Sequence, residues 1–132
     1  GSARARQAVD AAIEMAVAFG ADLVIVEAYQ PTTRLPKDLP AELADVVTPM
    51  SSIEHTLDEA LANAQEAGAR ATVRSIAGDP ADVLLGVAEE LDAAVIVVGN
   101  KGIGSLKRFV LGNVPSKVVH HAPCSIFIVH TT

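Results

Sequence analysis

Aromatic residues are scarce in this sequence: three Phe, one Tyr and no Trp among 132 residues. A core must therefore be assembled from Val, Ile, Leu and Ala, the set that fills a parallel sheet covered by helices on both faces. Cysteine is nearly lacking too. Cys124 stands alone, which excludes an intrachain disulfide framework and fits a reducing compartment. It lies in an apolar setting with no neighbouring base, and reads as a small core residue and not as a nucleophile. Basic charge is short as well. The net charge of −6 excludes a general nucleic-acid or anionic-membrane surface. The one local basic group is Lys101, Lys107 and Arg108. No apolar run approaches the roughly 18 residues of a membrane span, and no signal peptide is evident. The expectation is a cytoplasmic protein of one domain, residues 1–132.

What the chain does have is glycine in a particular place. Val95-Ile96-Val97-Val98 is a β-branched run that ends at Gly99 and leads into Asn100-Lys101-Gly102-Ile103-Gly104; Leu111-Gly112-Asn113-Val114-Pro115-Ser116 follows. This reads as a buried strand feeding a loop whose backbone N–H groups can surround a phosphate, with a helix N-terminus beside it. Glycine suits such a loop because it accepts positive φ and lets an anion approach the main chain.

Along the chain, apolar residues at helical spacing predict a helix over Ala3–Phe19, closed by Gly20. A strand is expected over Leu23–Ala28, buried on both faces. Residues 30–50 carry Pro31, Pro36, Pro40 and Pro49, with at most a short helix over Ala41–Val47. A helix over Ser51–Ala67 is followed by Gly68 and an alternating, edge-like strand over Ala71–Ile76. Gly78-Asp79-Pro80 is a helix start, Asp79 capping and Pro80 taking the first helical position, and the helix runs to about Leu91. The strand Ala94–Val98, a short helix over Ser105–Val110, a helix over Asn113–His121 and a strand over Ser125–His130 complete the order. Alternating helices and strands predict βαβ units and an α/β fold, a doubly wound parallel sheet with helices on both faces. Such a domain opens with a strand, whereas this chain opens with a helix. A further strand is therefore expected beside the one ending at Gly99, near the point where ligands bind in open sheets. His120 and His121 point about 100° apart on a helix and have no third partner at a matching spacing, so no metal site is expected.

Four features together resemble the universal stress protein family over nearly the whole chain: Gly99-x2-Gly102-x9-Gly112-Asn113, Gly78-Asp79-Pro80, His120-His121-Ala122-Pro123-Cys124, and Ile126-Phe127-Ile128-Val129. The resemblance implies a five-stranded sheet in the order 3-2-1-4-5, with the first strand and its terminal acidic residue missing from this sequence. It implies ATP or a related adenine nucleotide, with Mg2+, across the C-terminal ends of the strands. Gly99, Gly102, Gly112 and Asn113 would meet phosphate and ribose, with Val114 beside them, and Ala28 would meet adenine through its backbone. Val98, Lys101 and Ser116 join the candidate binding set, Lys101 as a phosphate partner or a solvated loop lysine, Ser116 as a helix-start residue or a ligand contact. The family pattern has Ser or Thr where this chain has Asn113, whose amide can donate to phosphate or cap the helix. The resemblance also implies a homodimer through the last strand, Ser125 to His130. No catalytic residue is assigned. The functional reading is a nucleotide-binding regulatory module with little or no turnover. The alternatives are a ligand-free dimeric scaffold and an enzyme of nucleotide hydrolysis or adenylyl chemistry.

Overall fold

Helix α1, Ala3–Phe19, forms where the apolar spacing requires it, and buries Ala12, Ile13 and Ala16. It stops at Gly20, which takes φ +64°, while Gly20 N–H and Ala21 N–H donate back to Val17 O and Ala16 O. In the computed structural model, which describes residues 3–30, 50–100 and 111–131, the elements that follow are β1 (Asp22–Tyr29), α2 (Met50–Glu66), β2 (Arg70–Ala77), α3 (Pro80–Leu91), β3 (Val95–Gly99), α4 (Asn113–His121) and β4 (Ser125–Val129). The short helices expected over 41–47 and 105–110 lie outside the described residues.

β1 pairs in parallel with β2 from Asp22↔Arg70 to Tyr29↔Ala77, and β3 pairs in parallel with β4 from Val95↔Ser125 to Gly99↔Val129. The register of the first pair is marked by an ion pair at its first rung, Arg70 Nε to Asp22 Oδ1 at 2.7 Å. α1 and α2 cover one face, and α3 and α4 pack together on the other. Ile13, Ile25, Leu57, Ala64 and Ala69 form one core cluster; Ala81, Ala88, Ile96, Val98 and Val118 form a second. Val118 of α4 is fully buried, a burial that contributes roughly 2 kcal/mol.

The two strand pairs do not join. An apolar cavity of about 1040 Å3 runs between β1 and β3, with α1 and α3 as its other walls. In β1 only Ile25 is buried, which corrects the expectation that Leu23–Ala28 is buried on both faces. In β3 only Ile96 and Val98 are buried, while Val95 is 41% exposed beside the cavity.

β2 ends at Gly78, which takes φ +144° and donates its N–H to Tyr29 O at 2.9 Å. A Cβ there would lie 3.1 Å from Val83 Cγ2. Gly78→Ala is therefore expected to destabilise the fold by about 1–3 kcal/mol through backbone strain, checked by urea unfolding of parent and variant.

Candidate functional site

In a parallel arrangement the C-terminal ends of all strands meet one edge of the sheet, and the following helices start there. Gly78-Asp79 and α3 rise from the end of β2, and Gly112 and α4 follow the end of β3. Asp79 has extended backbone, φ −64° and ψ 131°, and its Oδ2 accepts from Asp82 N–H at 3.1 Å, with Pro80 at the first helical position.

α4 starts differently. Its N-cap is Gly112, φ −62° and ψ 166°, and no side chain caps it. Asn113 is the first helical residue and its side chain is exposed, so it does not cap the helix, contrary to one of its two expected roles. Pro115 has no N–H, and Ser116 N–H donates to Gly112 O at 3.0 Å. The first-turn N–H groups without a partner among the described residues are those of Asn113 and Val114. Two N–H donors without a partner among the described residues, at the positive end of a helix, are a pair that can accept an anion. Neither Gly99 nor Gly112 has positive φ. The left-handed freedom of glycine is therefore not used at these two positions.

Asn100 holds the start of α4 in place. Its N–H donates to Val129 O and its carbonyl accepts from Gly112 N–H, both at 2.9 Å. Its Oδ1 accepts from Thr131 N–H at 2.9 Å and from Thr131 Oγ1 at 2.8 Å. Thr131 is 1% exposed. Asn100 thus ties the end of β3 to the tail of β4 and to the start of α4. The sequence alone assigns Asn100 no role. The available signal was an Asn directly after a strand-ending glycine, a residue type that bonds nearby backbone.

Lys117 of α4 reaches α3, with Nζ 2.8 Å from Asp82 Oδ1 and 3.5 Å from Asp79 Oδ2. The Asp82 hydrogen bond raises the Lys117 ammonium above its usual 10.5. The Asp79 carboxyl is held below its usual 3.8, chiefly by the Asp82 N–H and further by Lys117. Asp79 therefore stabilises the fold above 3.8 and loses that contribution as the pH falls through its lowered value. Lys117 contributes below 10.5 and loses it as the pH rises through its raised value. Asp79→Asn keeps a good cap but not the charge. It should be less stable than the parent near neutral pH, with the gap narrowing in urea unfolding as the pH falls below 3.8 and through the lowered value of Asp79.

Of the expected binding residues, Val98 and Gly99 lie at the end of β3 and Ala28 near the end of β1; Gly112, Asn113, Val114 and Ser116 form the start of α4. Val98 and Gly112 are buried, Ala28, Gly99, Val114 and Ser116 are half-buried, and Asn113 is exposed. Lys101 and Gly102 lie outside the described residues. None of the described members of the set lines the large cavity. At the far end of α4, the rings of His120 and His121 meet at 62° with centroids 6.5 Å apart. No described helix is long and apolar enough to cross a membrane.

The family model for the universal stress protein family matches residues 1–130. A universal stress protein of Mycobacterium tuberculosis is 37% identical over an alignment that spans all of this chain and 92% of that relative. Among solved structures, a universal stress protein in complex with cAMP is 32% identical, with a TM-score of 0.73 over 99% of this chain and 91% of that one. The universal stress protein UspA from Lactobacillus plantarum, 22% identical, shares the fold with a TM-score of 0.77 over 98% of this chain and 91% of its own. The chain belongs to the universal stress protein family.

Proposed function

We propose that this chain, acting as one domain over residues 1–132, binds an adenine nucleotide at the C-terminal edge of its strands. The observation that carries the reading is the uncapped start of α4, where the N–H groups of Asn113 and Val114 have no partner among the described residues. Such a pair fits a phosphate oxygen. A relative 32% identical to this chain was solved with cAMP, which carries both an adenine and a phosphate. Gly99, Lys101, Gly102 and Gly112 would give the phosphates room and charge, Val114 and Ser116 would flank them, and Ala28 and Val98 would approach the nucleoside.

ATP is the nucleotide assigned here, with Mg2+ carried by its phosphates. The role proposed is regulatory, with little or no turnover, in a cytoplasmic homodimer. The dimer is supported by β4, whose Phe127 and Ile128 are exposed and whose outer edge has no partner strand among the described residues.

The test is calorimetric titration with ATP and Mg2+, AMP and cAMP, followed by product analysis. Saturable binding of adenine nucleotides without product formation is expected. Rapid release of ADP or AMP would move the reading to a hydrolase, and no binding of any of them would leave a ligand-free scaffold.

A further inference from the structure

Lys117 stands beside the proposed nucleotide edge and has no part in that reading so far. It follows Asn113 by four residues in α4, and both side chains are exposed. Residues at that spacing share one face of a helix, and helical side chains lean toward the N-terminus. The Lys117 side chain therefore covers the turn that carries the Asn113 and Val114 N–H groups. Its partners lie at the same level. Nζ is 2.8 Å from Asp82 Oδ1 in the first turn of α3 and 3.5 Å from Asp79 Oδ2 at its N-cap. Lys117 is the one lysine or arginine in α4.

We propose that Lys117 sets the preference of the site for nucleotides that carry a chain of phosphates, by leaving Asp79 and Asp82 for a phosphate beyond the one held at Asn113 and Val114. The inference rests on the nucleotide reading above. Two backbone donors suffice for one phosphate, which is all that AMP or cAMP offers. ATP brings two more, and these need a cation. Lys117 can supply it at little cost. Its side chain and those of Asp79 and Asp82 are 44%, 49% and 61% exposed, so water reaches the whole ion pair and holds down its strength. Once Lys117 leaves, both carboxylates stay hydrated, and Asp79 keeps the N–H of Asp82. The long lysine stem can re-aim its charge with the helix in place. A phosphate chain, with more charge and more acceptor oxygens than a carboxylate, is the stronger competitor. The same exchange unties the first turns of α3 and α4.

The test is calorimetric titration of the full chain with ATP and Mg2+, and with AMP. The parent should bind ATP more tightly than AMP. Lys117→Met keeps the unbranched stem and removes the charge. It should weaken ATP by about three- to tenfold and AMP by less than about twofold. Lys117→Arg should retain the preference for ATP. Asp82→Asn removes the nearer competitor and should tighten ATP by about two- to threefold, with AMP little changed. Lys117→Met and Asp82→Asn break the same ion pair, so a purely structural pair would move both variants in one direction and both nucleotides alike. Arg70→Gln makes the same change in charge at the first rung of β1 and β2, the opposite end of the strands, and should leave the ratio as it is. Circular dichroism checks folding; if Lys117→Met does not fold, Asp82→Asn tests the inference by the same ratio. Where the parent binds nucleotide, the proposal is overturned by no preference for ATP over AMP, by an unchanged ratio or equal losses in folded Lys117→Met, or by weaker ATP binding in Asp82→Asn. Those outcomes leave the nucleotide site standing. A parent that binds neither ATP nor AMP overturns the site and this inference together.

Discussion

Replacing Asn113 by proline is expected to weaken adenine-nucleotide binding by about ten- to a hundredfold while the fold is retained. Proline is favoured at the first helical position, and Asn113 is that residue in α4. The residue before a proline should be extended, and Gly112 already has φ −62° and ψ 166°. The exposed Asn113 side chain leaves no hole behind it. What the substitution deletes is one of the two N–H donors that have no partner among the described residues, together with the side-chain amide. A hydrogen bond to a charged acceptor contributes about 1.5–3 kcal/mol, which sets the size of the expected loss. Asn113→Ser restores the N–H and offers a hydroxyl, so its affinity should stay close to the parent's. Titration of both variants, with circular dichroism as the check on folding, separates donor loss from helix loss. Unchanged affinity in a folded Asn113→Pro protein would remove the start of α4 from the site.

The second large effect belongs to Asn100. Asn100→Ala strips the acceptor from Thr131 N–H and Oγ1, in a residue that is 1% exposed. Leaving buried donors unmet should cost about 2 kcal/mol, a sizeable part of the roughly 5–15 kcal/mol that holds a domain together. The backbone bonds of Asn100 to Val129 and Gly112 survive the change, but the side-chain tie from the β4 tail to the α4 corner does not. Nucleotide affinity should fall along with stability. Asn100→Asp divides the two effects. It keeps an acceptor for Thr131, so stability should remain within about 1 kcal/mol of the parent. Its carboxylate, next to the proposed phosphate site, should still weaken binding. Urea unfolding and titration of the same two proteins test both parts. Equal loss of stability in the two variants would contradict this account of the Thr131 contacts.

The helices were largely legible in the sequence because their signals are local. α1, α3 and α4 have the boundaries that apolar spacing, Gly20 and the Asp79-Pro80 start predict. The strands were legible in position but not in burial. Val95 belongs to a wholly apolar run, yet it is 41% exposed, because burial of a strand depends on what lies beside it across the sheet. The end of α3 gave no glycine signal. Asp92 takes the left-handed conformation there, φ 51°, and Ala93 N–H returns to Ala88 O as it would after a glycine. Gly112 and Asn113 were legible as a helix start, but not in their division of labour, with Gly112 as the cap and Asn113 inside the helix. Asn100 was missed for a different reason. Its partner Thr131 lies 31 residues further on, and only the pairing of β3 with β4 brings the two together.

The central claim is that α4 receives the nucleotide phosphate through two backbone donors. Amide chemical-shift mapping during titration with ATP and Mg2+ tests it most directly. The account predicts the largest saturable shifts at the Asn113 and Val114 amides, with smaller ones at Gly99 and Gly112 and little change at Phe127 and Ile128. Saturable shifts that spare Asn113 and Val114, or no shifts at any amide, would contradict it.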